Sequence, residues 1–192
     1  NGESRTHVQH ISTLTGMLLD HLVQKTETYP LTQEMRRTIS MASVLHDIGK
    51  MEIGEQVLNS PEPRTPEDEE IMRQHTLLGA RMLEELDAYR DEDFVRVAYQ
   101  ICRWHHERYD GSGYPDQLVG EQIPIAAQVV GLADAYETLT TGSGSQPPVP
   151  CAAAVQMLCT GEAGAFNPVL LDCLREIENE IDDAMRRRPE TL

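Results

Sequence analysis

Apolar positions recur every three to four residues through most of the chain, which predicts amphipathic helices. Val8, Ile11, Leu14, Leu18 and Leu22 mark a first helix from about Thr6 to Gln24. Thr32 is placed to cap a second, with Met35, Ile39, Ala42 and Leu45 on one face, running until Gly49 breaks it. Thr65-Pro66-Glu67-Asp68 reads as a cap, a proline in the first turn and two acids near the positive end of the dipole. A long third helix is expected from there to about Leu86, with His75, Leu78 and Met82 on one face. A further helix from about Glu92 carries Phe94, Val97, Ala98 and Ile101 and should end near His105. Glycine and proline make residues 108–123 a loop, after which "IPIAAQVVGLADAYETLTT" restores the helical pattern with Asp134 in its middle. "GSGSQPPVP", residues 142–150, reads as a mobile linker. Helices at 151–160 and from 168 to about 187 close the chain, the last ending in Arg186-Arg187-Arg188, where cations suit the dipole.

Composition narrows the class. At 192 residues a single domain is expected: a core at about 4–140, the linker, and C-terminal helices at about 151–187. Aromatics are only 5% of the chain, so the core must be aliphatic, which suits helices packed on helices and an all-α fold. The formal net charge of −16 argues against a polymeric nucleic-acid partner, because no basic stripe exists to displace counterions. A phosphate ligand would need a local positive source, such as metal ions. The four cysteines show no CxxC spacing and read as buried free thiols of a reducing compartment. No apolar run approaches the roughly 18 residues that span a bilayer, and no secretion signal is visible, so a soluble cytoplasmic domain is expected. A start at Asn1 suggests a piece of a longer signalling protein.

The chemistry-bearing residues fall at four short sites on or beside predicted helices: His46-Asp47, His75, His105-His106 and Asp134. One His-Asp pair reads equally well as a capping aspartate beside a helical histidine. Four such sites together are the ligand set of a divalent metal centre, and imidazole with carboxylate but no thiolate suits Fe, Mn, Co or Zn better than Ca or Mg. Asp47 has two oxygens with which to bridge two ions. Such a pair, about 3.5 to 4 Å apart, polarises a phosphoryl oxygen and lowers the pKa of a bridging water, which is the chemistry of phosphodiester hydrolysis. Lys50, one of two lysines in the chain, is placed to neutralise charge on the phosphoryl group.

"HDIGK" at 46–50, His75, "HHERYDGSGYP" at 105–115 and Asp134 resemble the HD-GYP group of the HD metal-dependent phosphohydrolases. The resemblance runs from the first helix to about residue 140. It implies an all-α bundle of about five core helices, a centre of two or three metals (Fe or Mn foremost, with Zn, Co or Ni open), and hydrolysis of cyclic di-GMP to the linear dinucleotide or GMP in a bacterial cytoplasm. It also marks Gly111, Gly113, Tyr114 and Pro115 as the substrate loop. The glycines there admit turn conformations closed to other residues, and Glu107 and Asp110 are left for supporting roles around the metals.

The match has two departures. Three-metal members of the family carry a glutamate four residues before a first-helix histidine; paired as Thr6 and His10 that glutamate is missing, with Glu3 a strained substitute and His10 an open third-site ligand. His7 and His21 are assigned ordinary surface or core roles. The family's Arg-Pro-Tyr-Lys stretch, whose cations hold the dinucleotide's phosphates, is here Ser143-Gly144-Ser145-Gln146, a loss of about 1.5 to 3 kcal/mol per missing contact. Arg103 and Arg108 are candidate replacements. Two rivals to the cyclic di-GMP reading therefore stand: a phosphohydrolase of another nucleotide or phosphate ester, and a signalling module that binds a partner such as a diguanylate cyclase domain through the GYP loop.

Overall fold

The computed structural model describes residues 5–60, 63–89, 91–142 and 146–186. Among them the chain forms ten α-helices and no strand, with one isolated bridge between Asp110 and Val119. Helix α1 (Arg5–Lys25) is the axis of the bundle: Ile11, Leu14, Leu18 and Leu22 of the predicted stripe are fully buried, and Leu19 beside them is buried too. It packs against α2 (Gln33–Ala42), α7 (Ile125–Thr141) and α9 (Pro168–Glu176). Helix α7 is enclosed along most of its length by Val129, Val130, Leu132, Ala133 and Tyr136, which suits an element covered on several sides.

Side-chain caps fix the helix starts. The Thr32 hydroxyl accepts from the Met35 amide at 3.2 Å, and Thr65 accepts from Asp68 at 3.1 Å ahead of Pro66, as the sequence predicts. Asn167 does the same for Val169 at 3.0 Å, opening α9 at Pro168.

Three predicted helices are broken, each at a place that matters for packing. The second ends at Ala42, and the chain continues through tight 3-10 turns at Ser43–Leu45 and Ile48–Glu52, so the His46-Asp47 pair sits in a distorted turn rather than on a helix face. The third divides into α4 (Pro66–Arg73) and α5 (His75–Glu84), where the Gln74 amide bonds the Ile71 carbonyl and the turn tightens just before His75. The last divides at Ile177 into α9 and α10 (Glu178–Arg186). Met35 and Phe94, expected inside, lie on the exposed side. Arg187 and Arg188 of the predicted basic end lie outside the described residues.

The C-terminal helices are part of the core rather than an appendage. Leu158 of α8 (Cys151–Thr160), Leu170 and Leu174 of α9, and Ile181 of α10 are all fully buried in the cluster that holds α1 and α7. In the predicted linker, the Val149 amide bonds the Leu139 carbonyl at 2.9 Å, tying this stretch back to α7; Ser143, Gly144 and Ser145 lie outside the described residues. Cys102 and Cys173 are buried and Cys151 and Cys159 partly so, none of them in a disulfide. No helix among the described residues is long and apolar enough to cross a membrane.

Candidate metal centre

Helix α6 (Asp93–Trp104) delivers His105 at its C-terminal cap and His106 one residue on. The 3-10 turns deliver His46 and Asp47, α5 delivers His75 at its first residue, and α7 delivers Asp134 from its middle. These four sources converge, and His7 of α1 joins them. Ligand atoms of Asp47, His75, His105 and His106 lie within 4.8 Å of one another, as do those of His7, His46 and Asp134.

Asp47 joins the two groups through its separate oxygens. Its Oδ1 lies 2.9 Å from His75 Nε2 and 3.6 Å from His105 Nε2, while its Oδ2 lies 3.3 Å from His46 Nε2 and contacts the Lys50 ammonium. His46 Nε2 is in turn 3.9 Å from Asp134 Oδ1. One buried carboxylate thus faces two clusters of donors, the arrangement expected of a bridging ligand.

The ring orientations are set by local backbone. His46 Nδ1 donates to the Ser43 carbonyl at 2.9 Å, His75 Nδ1 to Met72 at 2.7 Å, and His105 Nδ1 to Ile101 at 2.9 Å. A carbonyl only accepts, so each Nδ1 carries the proton and each Nε2 is left to face the centre. Each acceptor lies three or four residues upstream, which makes the device a product of the turn itself. Two close approaches complete the geometry. A Cβ on Gly49 would fall 2.0 Å from the His75 carbonyl oxygen, and one on Gly131 would fall 2.2 Å from that of His105, so only glycine lets α7 and the HD turn come this near the histidine helices.

Electrostatics suit a cation. Burial works against charge on Asp47, yet the neighbouring His46 and the ring nitrogens of His105, His46 and His75 that face it hold its carboxyl well below the usual range. Burial pushes His105 down, and pushes His106 well down together with His105 and His75, so both rings are held neutral with lone pairs available. A cavity of about 400 Å³ opens over the centre, lined by His7, Asp47, Lys50, His106, Asp134 and Glu137 among others.

The loop after the histidines is braced from within. The Glu107 carboxylate accepts from the Asp116 amide at 2.7 Å and the Leu118 amide at 3.0 Å, and Asp110 accepts from Ser112 at 3.0 Å, so these acids hold the loop's shape rather than support the metals. Gly111 has the positive φ of 81° that a turn demands, whereas Gly113 is required because a Cβ there would fall 2.3 Å from the Arg108 amide. Tyr114 stacks on His106 at 4.8 Å and carries the Arg73 guanidinium 5.1 Å above its ring. Pro115 follows and joins the braced turn to Asp116. Neither candidate replacement cation points at the centre. Arg103 is paired with Asp116 at 2.7 and 3.0 Å, and Arg108 lies over the Phe166 ring at 4.8 Å.

The first helix requires a correction. His7, assigned an ordinary role from the sequence, is gathered with His46 and Asp134, while His10 is not among those donors. Glu137, unremarked in the sequence, takes His7 Nδ1 at 2.7 Å and His10 Nδ1 at 3.4 Å. The signal was present: Glu137 follows Asp134 by three residues, and residues so spaced share a helix face. With His7 as the site histidine, the residue four before it is Glu3 rather than Thr6, so the glutamate is not missing from the sequence; Glu3 lies outside the described residues.

An all-α bundle that gathers buried imidazoles and carboxylates around one shared aspartate is a divalent-metal-binding helical domain. The chain belongs to the HD domain family, whose model matches residues 5–169, and it carries that family's HD-GYP motifs. It is 30% identical over 185 residues, 96% of its length, to a cyclic di-GMP phosphodiesterase of Thermotoga maritima, covering 47% of that protein. It is also 30% identical over 174 residues, 91% of its length, to the 3'3'-cGAMP-specific phosphodiesterase 2 of Vibrio cholerae, covering 31% of it. The fold is shared with Bd1817, an HD-GYP protein of Bdellovibrio bacteriovorus, at a TM-score of 0.67 and 23% identity, over 90% of this chain and 51% of that one. The chain thus spans about half or less of the length of these relatives.

Proposed function

We propose that this chain is the hydrolytic portion of a metal-dependent cyclic dinucleotide phosphodiesterase, with cyclic di-GMP as its substrate. The observation that carries the reading is the division of Asp47 between two donor groups, Oδ1 toward His75 and His105, Oδ2 toward His46. His75, His105 and His106 with Asp47 would hold one ion; His7, His46 and Asp134 with Asp47 would hold the second. The donor set of imidazoles and carboxylates suits Fe, Mn, Co or Zn. Bound there, the ions supply Lewis acidity toward a phosphoryl oxygen and the positive charge that a chain of net charge −16 lacks. The protein's own part is to present neutral imidazoles and to keep Lys50 at the mouth of the cavity, where its ammonium meets the phosphate. Tyr114, stacked on His106, forms one wall.

The test is turnover by anaerobically purified protein loaded with Mn or Fe, with cyclic di-GMP followed to linear dinucleotide or GMP by chromatography. Turnover in the loaded protein and none in Asp47→Ala is expected; a loaded protein inert toward every cyclic dinucleotide would end the reading.

Ser143 and Gln146, where the family carries its phosphate-holding cations, favour a second reading in which the domain binds a diguanylate cyclase domain through the GYP loop. Complex formation that survives Asp47→Ala, in a protein without turnover, distinguishes it.

A further inference from the structure

Of the histidines that face the centre, His46 stands in the turns between α2 and the short helix α3 (Glu55–Leu58), His75 opens α5, and His105 and His106 follow the end of α6. The first three are aimed by their own backbone, each Nδ1 donating to a carbonyl three or four residues upstream. His106 differs. Among the described residues no hydrogen bond holds its ring nitrogens, and its ring rests on Tyr114 at 4.8 Å. Its aim therefore depends on the peptide that joins it to His105. A peptide is planar, so the direction of the His105 carbonyl fixes how His106 leaves the end of the helix. On one side α7 closes on that carbonyl at Gly131, where a Cβ would fall 2.2 Å from the oxygen. On the other side stands Arg108.

Arg108 Nη1 donates to the Glu107 carbonyl at 3.1 Å and reaches the His105 carbonyl at 3.5 Å, which puts a cation at the negative end of the α6 dipole. Its guanidinium lies over the Phe166 ring at 4.8 Å, and among the described residues no carboxylate pairs with it. A partly buried cation without a counter-ion gives up solvation for little Coulombic return, so what it contributes is geometry. The turn joining α8 to α9, residues 161–167, forms its seat. Gly164, at φ 108°, leaves the side chain its room, since a Cβ there would fall 2.6 Å from Nε. Ala165 accepts from the Tyr109 amide at 2.9 Å, Phe166 is buried, and Asn167 anchors the far end by donating to Gln128 of α7 at 2.9 Å. We propose that Arg108 is a positioning residue for His106, holding the peptide between the two histidines from a seat supplied by the α8–α9 turn. The site of His75, His105 and His106 then depends on C-terminal helices that contribute no donor to it. The inference rests on the metal-centre reading above and deepens it.

Charge and geometry predict opposite signs here. Removing a cation near a divalent ion relieves repulsion and tightens binding, whereas losing the brace frees the His105–His106 peptide and weakens it. The experiment is calorimetric titration of the metal-free proteins with Mn, with folding checked by circular dichroism and the site of His75, His105 and His106 identified as the one lost in His75→Ala. Arg108→Met, unbranched and uncharged, is expected to weaken that site about tenfold and to leave the site of His7, His46 and Asp134 unchanged. Phe166→Leu keeps the cation but takes the ring from beneath it, and is expected to weaken the same site in the same direction by a smaller factor. An unchanged or tighter site in Arg108→Met, or an equal loss at both sites, overturns the proposal while the metal-centre reading stands. If Arg108→Met does not fold, Phe166→Leu decides on the same readings. A wild-type protein that binds no divalent ion overturns the metal-centre reading, and the proposal falls with it.

Discussion

His7 and Glu137 meet at 2.7 Å across 130 residues of chain, and that contact joins the first helix to the candidate metal centre. The carboxylate holds the Nδ1 side of the ring, which leaves the opposite nitrogen toward His46 and Asp134. Burial opposes the charge on Glu137, but the hydrogen bond and charge of His7, followed by those of His10, prevail and hold its carboxyl below the ordinary range. An orienting carboxylate behind a ligating imidazole is worth about 10- to 100-fold in metal affinity. Glu137→Gln, close in shape, is therefore expected to lower the affinity of one metal site by that factor. Calorimetric metal titration should show two sites in the wild type and one weakened site in the variant, with the other unchanged.

Asp47 serves both donor groups, so its loss should not resemble the loss of one histidine. Asp47→Ala is expected to empty both sites, whereas His75→Ala should empty mainly the site it shares with His105 and His106. Elemental analysis of the purified variants reads the difference directly. Cyclic di-GMP turnover in Asp47→Ala should fall by at least about a hundredfold.

Gly131 sits where α7 crosses the end of α6, with room for no Cβ against the His105 carbonyl oxygen. Gly131→Ala is expected to push the helices apart and destabilise the protein by about 1 to 3 kcal/mol. Urea unfolding monitored by circular dichroism measures it. Metal content should fall alongside, because the same displacement moves His105 relative to Asp134.

Two thiols should be silent in the folded protein. Burial pushes Cys102 up to about 12, with the charge of Asp47 adding to it, and pushes Cys173 up to about 11. Both are raised, so their contribution to stability is fully present below the ordinary thiol pKa near 8.5 and is lost as pH rises through about 11 to 12. Labelling with a disulfide reagent at pH 8 should reach at most Cys151 and Cys159, and all four cysteines in urea. Stability should decline on the alkaline side, beginning near pH 9, which a pH series of unfolding curves checks.

The helices and the donors of the centre are legible in the chain for related reasons. Periodicity, capping hydroxyls and the choice of imidazole and carboxylate are properties of short segments, so α1, α6, α7 and α8 fall within a few residues of their predicted bounds. The tautomers of His46, His75 and His105 are local too, since each Nδ1 partner is three or four residues upstream. The helix breaks at Gln74 and Ile177 escaped the pattern because no glycine or proline marks them; apolar spacing continues across both, and only packing against neighbouring helices reveals the change of direction.

By itself the sequence determined that this is an all-helical chain with six candidate metal donors, His46, Asp47, His75, His105, His106 and Asp134, because side-chain chemistry and helical period are written residue by residue. The tertiary structure decided which histidine of the first helix faces the centre, that Glu137 stands behind it, that Glu107 braces the loop, and that Gly49 and Gly131 admit the close approach. Those choices depend on how α1, α5, α6 and α7 rotate and cross. Such angles are set by the summed burial of many side chains far apart in the chain, which no local spacing records.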